Sequence, residues 1–70
     1  MKKTSSFPER LRELRTEKGL SAVKLGKQSG ISFSIICAWE KGQFTPKLDS
    51  VEKLAEFFGV SLNYLAGWDE

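Results

Sequence analysis

The chain has 70 residues, with eleven basic and nine acidic side chains, one cysteine and no histidine. That length holds one small domain, the lone Cys37 excludes an internal disulfide, and the absence of histidine excludes a Cys/His zinc site. Charge is divided along the chain: ten of the eleven basic residues lie in 1–47 with four acidic ones, whereas 48–70 holds Lys53 against Asp49, Glu52, Glu56, Asp69 and Glu70.

Ser6-Phe7-Pro8-Glu9 reads as a capping box with proline in the first turn. It opens a helix that turns Phe7, Leu11 and Leu14 inward and ends at Gly19. Ser21 caps a second helix, which runs to about Ser29 and stops at Gly30. Ser32 caps a third helix over about 33–41, closed by Gly42. Residues 43–47, with Pro46, form a loop. A fourth helix starts near Leu48 and carries Val51, Leu54, Ala55 and Phe58 at i, i+3, i+4 spacing, with Asp49 and Glu52 near its positive end. It breaks at Gly59. Ser61 caps a short last helix with Leu62 and Leu65 inward, ended by Gly67. There is no period-two alternation and no hairpin signal, so strands are not expected. The sequence therefore predicts an all-α fold: a compact five-helix orthogonal bundle forming a single domain over residues 1–70, with an ordered core of about 6–67.

Ser21 to Gly42 is the informative stretch. Two short helices meet at a tight turn, Gly30-Ile31-Ser32, and the small Gly26 stands four residues before it, where they cross. Leu25, Ile31, Ile36 and Trp39 point inward around the crossing. A helix-turn-helix requires these features: a glycine turn, a small residue at the close approach, and a second helix held from behind so that its front can enter a groove. The basic first part of the chain suits a face turned toward a polyanion; the alternative is that both parts are ordinary solvated helix surfaces.

In these residues the chain resembles the phage-repressor and Cro-like (XRE-type) family of helix-turn-helix DNA-binding domains. The resemblance rests on Arg10-Leu11-Arg12-Glu13-Leu14-Arg15, Lys18-Gly19-Leu20-Ser21, Gly30-Ile31-Ser32, Ile36, Trp39-Glu40-Lys41-Gly42, Pro46, Leu54-Ala55 and Gly59-Val60-Ser61-Leu62-Asn63-Tyr64-Leu65. It implies a lambda-repressor-like fold and sequence-specific binding of double-stranded DNA. A transcriptional regulator is expected, most often a repressor, acting as a homodimer on an inverted repeat with its third helix in the major groove. It further implies base contacts by Ser32, Phe33, Ser34, Cys37 and Ala38, and phosphate contacts by Ser21, Lys41, Gln43, Thr45 and Lys47. Arg10 and Glu40 are expected to form a structural ion pair between the first and third helices. In some relatives the C-terminal helix dimerises, which implies a contact by Phe57, Leu62, Tyr64 and Trp68; the alternative for Trp68 is to fold back onto its own helices.

The third helix departs from the family pattern. Phe33, Cys37 and Ala38 stand where side chains able to match the donor and acceptor code of a base edge are usual. Two readings follow. In one, the apolar groups read thymine methyls while Ser32 and Ser34 form hydrogen bonds, and the operator is an A·T-rich inverted repeat. In the other, DNA reading has degenerated and Phe33, Cys37, Ala38 and Phe44 form a protein-binding patch. No nucleophile motif, catalytic carboxylate setting or phosphate-cradling loop is present, so neither an enzyme nor a cofactor is expected, and no small-molecule ligand. Met1-Lys2-Lys3 leads into polar residues and no long apolar run follows, so a cytoplasmic protein without a membrane partner is expected.

Overall fold

A computed structural model describes residues 6–67; Lys2, Lys3 and Trp68 lie outside the described residues. The described chain forms five α-helices: α1 (Phe7–Glu17), α2 (Ala22–Ser29), α3 (Phe33–Glu40), α4 (Leu48–Phe58) and α5 (Leu62–Ala66). No strand occurs among the described residues. The all-α, five-helix architecture is the one the periodicity and the glycines require.

Local chemistry accounts for the helix starts. The Glu9 carboxylate accepts a hydrogen bond from the Ser6 backbone N–H at 3.4 Å, so the predicted box closes back on the cap. Ser21 Oγ accepts from the Lys24 N–H at 3.1 Å and Ser61 Oγ from the Tyr64 N–H at 3.0 Å. Ser32 differs from its expected role. It occupies the N-cap position of α3, but its hydroxyl makes no capping hydrogen bond. Ser29 organises the turn instead, donating to the Leu25 carbonyl at 2.7 Å and accepting from the Ile31 N–H at 3.4 Å.

Each helix places one side chain wholly inside: Leu11, Leu25, Ile36, Leu54 and Leu65. Each such burial stabilises the fold by about 1.5–3 kcal/mol relative to exposure. Phe7 meets Trp39 edge-on at 5.9 Å between ring centroids and 75° between planes, which ties the start of α1 to α3. In this frame α1 lies against both α3 and α5, α2 against α3 and α4, and α4 against α5. No helix among the described residues is long and apolar enough to cross a membrane.

Two glycines make the α2–α3 corner possible. Gly30 has φ +80°, a conformation that costs a residue with a Cβ about 1–2 kcal/mol. At Gly26 the constraint is space. A Cβ there would stand 2.7 Å from the Ile31 carbonyl oxygen and 3.3 Å from the Phe33 N, so the backbone entering α3 passes where a side chain would have been.

Candidate nucleic-acid interface

The two ends of α3 have opposite environments. From its fourth residue on, Ile36 and Trp39 are buried in the core and Glu40 is half-buried. At its start Ser32, Phe33, Ser34 and Ile35 are all exposed, with Phe33 48% and Ile35 45% accessible. The helix is thus gripped at its C-terminal end and projects at its N-terminal turn, the end that meets base edges when such a helix lies in a major groove.

Arg15 supplies the grip. Its Nε and Nη2 donate to the two Glu40 carboxylate oxygens at 2.7 and 2.9 Å, and its Nη1 donates to the Leu20 carbonyl at 3.0 Å. One guanidinium therefore joins α1, the α1–α2 connection and the end of α3. The bond to Glu40 raises the Arg15 pKa above the ordinary arginine value, against the opposing effect of burial. Arg12 stands near the same carboxylate, its Nε 4.0 Å from Glu40 Oε1.

The expected Arg10–Glu40 pair is corrected by this arrangement. Arg10 is buried on the other side of α1, where its Nη1 donates to the Tyr64 carbonyl at 2.6 Å and its guanidinium lies 4.3 Å from the centre of the Tyr64 ring. The reason is helical phase. At about 100° per residue, Arg10 and Arg15 sit about 140° apart around α1, so one meets α5 and the other α3. Arg12 and Arg15 are about 60° apart and share the flank that faces Glu40.

Of the residues expected to touch bases, Ser32, Phe33 and Ser34 are exposed and Cys37 is half-buried. Ala38 is buried, at 8% accessibility. Past Gly42 the chain turns back, and the Gln43 N–H donates to the Ala38 carbonyl at 3.0 Å. Ile35, overlooked in the sequence because it lies beside the buried Ile36, is exposed instead. The five residues expected at phosphates, Ser21, Lys41, Gln43, Thr45 and Lys47, are all exposed, as are Lys24 and Lys27 of α2. Phe57, Leu62 and Tyr64 are each half-buried on the α4–α5 side, where Phe57 packs edge-on against Phe58 at 5.1 Å and the Lys18 ammonium lies 5.8 Å from its ring centre.

Comparison with known proteins agrees with this geometry. Residues 11–65 match the family model described as helix-turn-helix. The cryptic phage CTXphi transcriptional repressor RstR of Vibrio cholerae is 38% identical over 64 residues, covering 91% of this chain and 58% of that protein. The transcriptional activator BcrR of Enterococcus faecalis is 34% identical over 64 residues, covering 91% of this chain and 31% of that protein. The chain therefore spans less than two-thirds of the length of these curated relatives. Among solved structures, the restriction-modification controller protein C.AhdI from Aeromonas hydrophila superposes with a TM-score of 0.77 at 41% identity, over 84% of this chain and 89% of that one. The hypothetical transcription factor NHTF from Neisseria superposes with a TM-score of 0.80 at 28% identity, over 86% and 69%. By its family match, its relatives and the geometry of its α2–α3 corner, the chain belongs to the helix-turn-helix family.

Proposed function

We propose that this chain is the sequence-reading, double-stranded-DNA-binding domain of a cytoplasmic transcriptional regulator, acting most often as a repressor. It works as one domain and binds as a homodimer. Two copies set their α3 helices in successive major grooves about 34 Å apart, on an inverted repeat. The observation that carries this reading is the asymmetry of α3, clamped at Glu40 and projecting at Ser32–Ile35. Exposed Lys24, Lys27, Lys41 and Lys47 lie on the elements around it, where they would hold register on phosphates.

Within that interface Ser32, Phe33, Ser34 and Cys37 face the bases. The free Ser32 hydroxyl supports a hydrogen bond to a base edge, and the exposed Phe33 ring supports contact with thymine methyls in an A·T-rich site. Ser21, Lys41, Gln43, Thr45 and Lys47 contact phosphates. Phe57, Leu62 and Tyr64, with Trp68, form the dimer contact. Relatives named as a repressor and as an activator both use this kind of domain, and bound occupancy of a promoter is the mechanism it offers to a repressor.

Selection of bound duplexes from a random pool, near physiological salt, tests the proposal. Enrichment of an inverted repeat with half-sites about one helical turn apart is expected. Replacing thymine by uracil in the selected site should weaken binding; unchanged affinity would refute the methyl readout. One observation favours a second reading: Phe33, Ile35 and Phe44 are exposed large apolar side chains, Phe44 at 67%, and such surfaces also serve protein partners. No enrichment in the selection would shift the assignment to that interaction module.

A further inference from the structure

We infer that Arg10 is a positioning residue that sets the orientation of the dimer, and hence the half-site spacing the protein accepts, without taking part in half-site recognition. The inference rests on the α5-mediated homodimer proposed above. A five-residue helix is a short lever: Leu65 is the one wholly buried side chain of α5, with Leu62 and Ala66 packed partly buried against the core. Apolar packing is non-directional, so these contacts set how close α5 lies to the core more than the direction in which it points. Arg10 provides a second anchor of a different kind, through its hydrogen bond of 2.6 Å to the Tyr64 carbonyl and its stacking 4.3 Å from the Tyr64 ring centre. A planar guanidinium that both donates to a carbonyl and lies over a ring constrains direction as well as distance.

The frame behind that anchor is rigid. Arg10 is 7% accessible and sits beside the wholly buried Leu11. Five residues further along the same helix, Arg15 binds Glu40 at the end of α3. α1 is therefore a strut with the dimer helix fastened to one flank and the recognition helix to the other. Loosening the Arg10 end leaves α3 and its clamp in place but lets the second copy take a range of angles. The Tyr64 carbonyl keeps a partner in that case, because the Gly67 N–H also donates to it at 3.1 Å, so α5 is freed in orientation and not unfolded.

Duplexes carrying the selected half-site once, or as inverted repeats with the spacing changed one base pair at a time, test this. Each added base pair turns the second half-site by about 35° and moves it about 3.4 Å. The wild-type chain should lose about 100-fold in affinity when the spacing shifts by one base pair, because simultaneous engagement fails. Arg10→Gln should lose less than about tenfold for the same shift while binding the single half-site as the wild type does. If Arg10→Gln does not fold, Arg10→Lys, which keeps the charge but lacks the planar fork, carries the same test. A folded variant with the wild-type spacing preference, or one with weakened single half-site binding, overturns the inference while the dimer stands. A wild-type chain that shows no spacing preference overturns the dimer reading and this inference with it.

Discussion

Replacing Arg15 by alanine tests the clamp on α3 most directly. Fully exposed ion pairs contribute about 0–1 kcal/mol, and breaking a buried one costs about 3–5 kcal/mol. Here the side chains are 19% and 9% accessible, which places the pair between those regimes. Arg15 also carries the bond to the Leu20 carbonyl. Its loss should therefore cost about 2–3 kcal/mol. Since a core of this size supplies about 3–5 kcal/mol, that is about 40% of the stability or more. Arg12, 64% accessible and with its Nε 4.0 Å from the carboxylate, is in the exposed regime and offsets about 0–1 kcal/mol of that loss. Glu40→Gln, which keeps the shape and an acceptor oxygen, should cost only about 1 kcal/mol. The assay is urea unfolding followed by far-UV circular dichroism on Arg15→Ala, Glu40→Ala and the double variant, with a coupling of about 1–2 kcal/mol expected. Additivity within about 0.5 kcal/mol would refute the clamp, as would a coupling between Glu40 and Arg10 in the parallel cycle.

The same pair has a defined pH dependence. Its arginine pKa is raised, so the Arg15 contribution is complete below the ordinary arginine value and is lost only as pH rises past the raised one. Coupling between Arg15 and Glu40 measured at about pH 6 and about pH 9 should agree. Gly26→Val should lower stability by about 2 kcal/mol and Tm by about 8 °C or more, because the added atoms meet the Ile31 carbonyl and the Phe33 backbone; thermal unfolding checks this. Lys41→Ala should weaken binding to all duplexes alike and reduce the slope of log affinity against log salt by about 0.9, measured by titration across a salt series. Phe33→Ala should instead change the sequence recovered by duplex selection; recovery of the same site would remove Phe33 from the reading face.

The spans of the helices were legible because their determinants are local. Ser6, Ser21 and Ser61 are followed at once by the residues they cap or pair with, and Gly30 marks a corner that needs a positive φ whatever surrounds it. The buried faces were legible too, because apolar residues repeat at helical spacing within a segment, as Val51, Leu54 and Ala55 do in α4. The need for a small residue at Gly26 also followed from its place before the turn. Each of these is a property of a segment a few residues long.

Which flank of a helix meets which neighbour is not such a property. Arg10, Arg12 and Arg15 are alike in type and all lie on α1, and nothing within the segment says which of them reaches Glu40, 25 residues after Arg15. Only the placement of α3 and α5 on opposite flanks of α1 assigned Arg15 to the recognition helix and Arg10 to Tyr64. Ala38 and Ser32 follow the same rule. A residue's phase on α3 shows the direction in which it points, but Ala38 is buried, and the Ser32 hydroxyl makes no bond to the helix it was expected to cap, while Ser29 bonds across the turn before it. Sequence alone determined the helices and the sides they bury, through short-range hydrogen bonds and periodicity. The partners of the polar side chains were decided by packing, because the distance between two helices is set by every other contact in the core.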